Sequence, residues 1–165
     1  MRLIYLVLFV IYATSALRDP EISHDDLVKL TDGLLTGVNI QEDHNLLMKC
    51  LRGDIGQDWS ALVTMLKQTM WSDPENVIMK FLEFNTLPYE TFKVLLRCSK
   101  ENVLKSYLDK MDKIADDMRE FTRRVLANFA QLVHDLKYFL ALWGEKNFVE
   151  AGKTAGTIID WFFFK

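Results

Sequence analysis

Apolar residues recur every three or four positions along nearly the whole chain, and no stretch sustains the two-residue alternation of a half-buried strand. The pattern predicts helix after helix. Ser23 followed by Asp26 makes a capping-box-like start, ahead of an apolar face of Leu27, Leu30, Leu34, Leu35 and Val38, with Gly37 weakening the end. A short second helix carries Leu46, Leu47, Cys50 and Leu51 and is expected to stop at Gly53; a third carries Ile55, Trp59, Leu62, Val63, Leu66 and Met70. Asp73-Pro74 reads as a restart, with a capping side chain and a proline at the first helical position, ahead of Val77, Ile78, Phe81 and Leu82. Asn85-Thr86-Leu87-Pro88 is expected to break the chain before the next stripe of Phe92, Val94, Leu95 and Cys98.

Residues 100–143 contain neither Gly nor Pro, and their apolar positions from Leu104 to Trp143 advance in eleven steps over 39 residues, a mean near 3.5. That period fits either one long, gently supercoiled helix or a helical hairpin. A single helix would exceed about 60 Å, so a protrusion or a bend is expected, the bend near residues 116–122. Gly144 ends the pattern, and a last helix, Phe148 to Phe164, closes the chain. The expected fold is all-α, a compact bundle of five to seven helices with one long helix or hairpin in its C-terminal half.

The first sixteen residues change the picture of the compartment. Arg2, the apolar run of residues 3–12 and the small residues Ala13-Thr14-Ser15-Ala16 have the plan of a secretory signal cleaved after Ala16. Ten helical residues rise only about 15 Å, half of a ~30 Å hydrocarbon core, so a cleaved signal fits better than an uncleaved anchor. Residues 17–165 then form a single all-α domain, secreted or held in the lumen of the secretory pathway, with no transmembrane span. Cys50 and Cys98 are an even pair in an oxidising setting and are expected to form a structural disulfide, with two buried free thiols as the alternative. No Asn-x-Ser/Thr sequon occurs.

Composition narrows function mainly by exclusion. With 50% hydrophobic and 26% charged residues the chain can bury a core, and 20 basic against 23 acidic groups give no general attraction to nucleic acid. Motifs for nucleophile elbows, phosphate loops, zinc proteases and calcium loops are absent. His24, His44 and His134 each adjoin an aspartate, but neighbours on a helix point about 100° apart, so surface placement is the reading for all three. Asp109, Asp112, Asp116 and Asp117 alternate with Lys105, Lys110, Lys113, Arg119 and Arg123, which describes a solvated helix face better than a metal site. No enzyme activity, catalytic residue, metal or cofactor is expected.

Two features of the last helix stand out. Ala151-Gly152-Lys153-Thr154-Ala155-Gly156 places small residues four apart, a face able to lie close to another backbone. Packing inside the fold against the long helix is the expectation, and dimerisation the alternative. Trp161-Phe162-Phe163-Phe164 cannot all face inward on one helix, so at least one ring is expected to be exposed unless something covers it. The segments Asp32-Gly33-Leu34-Leu35-Thr36-Gly37-Val38, ahead of the Cys50 helix, and Phe148-Val149-Glu150-Ala151-Gly152-Lys153-Thr154-Ala155-Gly156 give the chain a resemblance to the small, signal-peptide-bearing, all-helical secretory proteins of ciliates. The resemblance implies a secretory helical domain and no particular chemistry.

Eleven Phe, seven Met and four Trp exceed what a minimal bundle needs, and aromatics with adaptable Met commonly line apolar cavities. The expected function is therefore non-enzymatic binding of a lipid or another apolar molecule, through inward Trp59, Met65, Met70, Phe81, Phe129 and Phe139. The competing reading is a structural or protein-interaction component, with a protein partner or a second copy of the chain held by Gly152, Gly156, Trp161, Phe162, Phe163 and Phe164.

Overall fold

The computed structural model describes residues 21–41, 43–51, 53–99 and 102–165. Eight helices run through them: α1 (His24–Gly37), α2 (His44–Cys50), α3 (Gly53–Leu66), α4 (Pro74–Ser99), α5 (Asn102–Asp116), α6 (Met118–Ala127), α7 (Phe129–Gly144) and α8 (Phe148–Phe164). The all-α expectation holds, with eight helices among the described residues instead of five to seven, and no strand among them. The expected signal and its cleavage point lie outside the described residues.

Several helix ends follow directly from local chemistry. Ser23 Oγ accepts from the Asp26 amide at the start of α1, and Asn39 takes a φ of 61° just past its end. Asp73 Oδ1 accepts from the Glu75 amide, and Pro74 opens α4 as expected. Gly53 begins α3 instead of ending α2, which stops at Cys50.

Two expectations about helix breaks are corrected. Asn85-Thr86-Leu87-Pro88 does not interrupt the chain, because α4 runs 26 residues with Pro88 inside it. The buried Val77, Phe81, Phe84, Phe92 and Leu95 stay in helical phase across the proline, so packing holds the helix where the missing amide would end it. Asn85 Nδ2 donates to the Phe81 carbonyl at 2.9 Å and Thr86 Oγ1 to the Glu83 carbonyl at 2.6 Å, adding side-chain bonds in the turns around it. The described part of the 100–143 segment, residues 102–143, forms neither a single helix nor a simple hairpin. It divides into α5, α6 and α7 at Asp117, inside the expected range, and again at Asn128. Both residues leave helical angles, with φ/ψ of -96°/83° and -120°/24°, and Asp117 uses its carboxylate to cap the Glu120 amide.

The first and last of these helices are partners. α1 and α8 share the most extensive contact in the fold, and both lose their side chains where they cross. A Cβ added to Gly152 would overlap the Leu30 carbonyl oxygen, one on Gly156 the Leu34 carbonyl oxygen, and one on Gly33 the Val149 carbonyl oxygen; one on Gly37 would lie 2.5 Å from the Lys153 oxygen. The two helices thus meet backbone to backbone through reciprocal glycine pairs. The small-residue face of α8 is used inside the fold, as expected, but against α1 and not against the 100–143 segment, because α1 carries the matching glycines.

The remaining helices close over an aromatic core. Phe81 of α4 meets Phe162 of α8 at 4.7 Å between ring centroids, Phe121 of α6 meets Phe162 at 5.2 Å, and Phe84 meets Phe139 of α7 at 5.5 Å. Trp59 of α3 joins through Phe84 and Phe139. Cys50 and Cys98 form the expected disulfide, joining the C-terminal ends of α2 and α4 with Cα atoms 5.8 Å apart.

Three outcomes are expected. Gly152→Ala should destabilise by about 2 kcal/mol or more, since overlap with fixed backbone outweighs the helix-propensity gain of alanine. Gly144→Ala, with nothing within 4 Å of the added methyl group, should be neutral or stabilising by up to about 1 kcal/mol. Urea denaturation of both variants checks the contrast. Replacing Cys50 and Cys98 together by Ala should lower stability by about 4 kcal/mol, the chain-entropy value for a loop of 48 residues, measured the same way. The third outcome concerns Glu120, whose carboxyl is held down to about 2 by hydrogen bonds from Arg123 and then Arg124. A carboxyl depressed in the folded state stabilises above its ordinary range and loses that contribution as pH falls through its folded value. The melting temperature of wild type should therefore exceed that of Glu120→Gln above pH 5, and the gap should close as pH falls towards 2.

Candidate ligand pocket

Three consecutive turns of α4 turn one face outward. Leu82, Asn85 with Thr86, and Tyr89 with Glu90 follow at the three-to-four-residue spacing that stacks side chains along a helix. α5 faces them with Met111, Asp112 and Ala115, while Phe121 of α6 and Phe163 of α8 complete a pocket of about 220 Å³. Its walls are mostly apolar. Met111, Phe121 and Phe163 are buried, whereas Thr86, Glu90 and Asp112 are exposed, so the greasy side lies towards the core and the polar rim towards solvent.

The rim is tied across the two helices by one bond. Tyr89 Oη donates to Asp112 Oδ2 at 3.1 Å. Burial, then the bond to Asp112 and the nearby carboxylates, push the Tyr89 phenol above its ordinary range, so it remains a donor. Glu90 pairs with Lys93 on its own helix at 3.3 Å, and Lys93 also lies 5.4 Å above the Tyr89 ring. Asn85 is 7% exposed, and its Oδ1 is buried without a partner. Trp59 Nε1, Thr69 Oγ1 and Thr91 Oγ1 share that condition, but only Asn85 among the four lines this pocket.

None of the six residues expected to line an apolar site does so here. Trp59, Phe81 and Phe139 are fully buried in the ring network, and Met65 and Phe129 pack half-buried against it. Met70, expected to face inward, is 58% exposed, because α3 ends at Leu66 before its stripe reaches that position. The rings of Trp59, Phe81 and Phe139 pack against other rings instead of bordering open space.

The tail is likewise mostly internal. Phe162 and Phe163 are buried, Phe163 forming a pocket wall, while Trp161 and Phe164 are half-buried. Trp161 Nε1 donates to Asp135 at 3.1 Å, and Phe164 lies between the Tyr107 ring and the Lys110 ammonium. Gly152 and Gly156 are occupied by α1.

The three histidines are exposed, and His24 Nε2 lies 3.1 Å from the Met48 carbonyl oxygen. Among the described residues no three His, Cys, Asp or Glu side chains are grouped to hold a metal ion, and no helix is long and apolar enough to cross a membrane. Two other concavities flank the end of α8; of the cations around them, Arg123 and Arg124 are engaged by Glu120, Lys165 by Asp160 and Lys110 by the Phe164 ring.

Sequence reading missed Asn85, Tyr89, Met111, Asp112, Ala115 and Phe121 as pocket residues. The signal that could have pointed there is the Asn-Thr-Leu-Pro segment, since a proline kept inside a long helix marks a place where local preference has been overruled. No protein-family model matches the chain, and neither does any curated protein or solved structure.

Proposed function

We propose that the protein is a secreted, non-enzymatic helical binding protein that takes a small apolar molecule into the pocket between α4 and α5. The observation that carries this reading is the pocket itself, about 220 Å³ with Leu82, Met111, Ala115, Phe121 and Phe163 around it. Buried rings hold Phe121 and Phe163 in place, so the site needs little ordering on binding. The Cys50–Cys98 disulfide and the signal-like N-terminal sequence support an oxidising, secretory setting.

Size limits the ligand. A cavity of about 150 Å³ holds benzene, whereas sites for drug-sized molecules begin near 300 Å³. The pocket thus suits a single substituted ring or a short branched hydrocarbon, and only the end of a long lipid chain. Titration with propylbenzene, followed by ligand-detected NMR, should give saturable binding at one site. Ala115→Phe, which fills the pocket, should abolish it while the helical circular dichroism and melting temperature are retained. Absence of saturable binding, or equal binding by a folded Ala115→Phe variant, overturns the proposal.

A further inference from the structure

The hydrogen-bonding groups around the pocket are biased in one direction. Tyr89 spends its proton on Asp112, Thr86 spends its proton on the Glu83 carbonyl, and Asn85 donates to Phe81. What remains is mainly acceptor capacity: Asn85, a lining residue whose Oδ1 is buried without a partner and whose second amide proton is the remaining donor, and the Asp112 and Glu90 carboxylates at the rim. Lys93 lies against Glu90, whereas Asp112 has no ion-pair partner among the described residues and receives only the neutral phenol. A buried acceptor without a partner costs free energy that an incoming donor can recover, and an unpaired carboxylate beside a low-dielectric wall favours positive charge.

Resting on the pocket reading above, we infer that the ligand is an amphiphilic cation: a compact apolar body carrying a protonated primary amine, the body against Met111, Phe121 and Phe163 and the ammonium received by Asp112 and Asn85. An ammonium has three protons and no acceptor, so it can satisfy Asp112 and Asn85 together without displacing the Tyr89 bond. A carboxylate-bearing ligand of the same body would meet two like charges and no free donor of full charge.

Three probes of nearly equal size separate the possibilities: phenethylamine, propylbenzene and 3-phenylpropionate, titrated at pH 7 into the full, disulfide-intact protein by calorimetry and ligand-detected NMR. Phenethylamine should bind at least tenfold more tightly than propylbenzene, and 3-phenylpropionate should bind most weakly. Asp112→Asn, which keeps an acceptor for Tyr89, should weaken phenethylamine at least tenfold and leave propylbenzene within twofold. Asn85→Leu should also weaken the amine without weakening propylbenzene. If propylbenzene matches or exceeds phenethylamine, or Asp112→Asn leaves the amine unaffected, the cation inference fails and the apolar pocket stands. If none of the three saturates, the pocket reading fails with it.

Discussion

The position of α8, and with it one wall of the pocket, rests on the contact of two backbones. Where α1 and α8 cross, Gly33, Gly37, Gly152 and Gly156 remove the side chains that would otherwise hold the helices apart, and carbonyl oxygens of one helix lie where side chains of the other would be. Close approach of this kind gains dispersion over a long seam and tolerates no added methylene. It also fixes the rotation of α8, because only one face of that helix is small. With that face against α1, Phe162 turns into the ring cluster with Phe81 and Phe121, and Phe163 reaches the wall of the pocket. Tyr107 extends the constraint to α5 by donating to the Val38 carbonyl at 2.8 Å, just beyond the end of α1. Two of the three helices that line the far side of the pocket, α5 and α8, are thus indexed to the same seam.

The near side depends on α4, which is fixed differently. Its C-terminal end is bonded covalently to α2 through Cys98, and its middle is held by Phe81, Phe84 and Phe92 in the core. Between these anchors sits Pro88, which removes an amide from the helix at the level of the pocket. A helix held on both sides of the proline can carry such a defect, and the side chains that answer the surrounding carbonyls, Asn85 and Thr86, are themselves pocket residues. The polarity of the site follows from this. Asn85 gives one amide proton and Thr86 its hydroxyl proton to the backbone of α4, and both side-chain oxygens retain acceptor capacity.

Helical class, the capping at Ser23 and Asp73, the extent of α8 and the disulfide were legible because each depends on neighbours in sequence or on compartment. The breaks were harder for a physical reason. Asp117 and Asn128 are tolerated inside helices, and only the packing of α6 between its neighbours turns their side chains into competitors for backbone amides and carbonyls. Pro88 misled in the opposite direction, since the local cost of a proline is small beside the in-phase burial of four turns of apolar side chains. The pocket was illegible for a third reason. It takes residues from positions 82–90, 111–115, 121 and 163, and nothing in one linear pattern says that these stretches meet.

The contrast between the expected and the observed lining also explains where a cavity can arise in such a core. Aromatic richness gave the expectation that large inward rings surround a ligand, yet Trp59, Phe81 and Phe139 are packed against other rings at centroid distances near 6 Å and leave no space. Empty volume appears instead where α4 and α5 face each other through shorter groups, Ala115 and Thr86, beside the proline. Large residues make the walls rigid and small ones make the room. In the proposed ligand site, room for an apolar body thus depends on Ala115 and its neighbours, whereas the proposed preference for a polar end depends on Asn85 of α4 and Asp112 of α5, two determinants that can change independently.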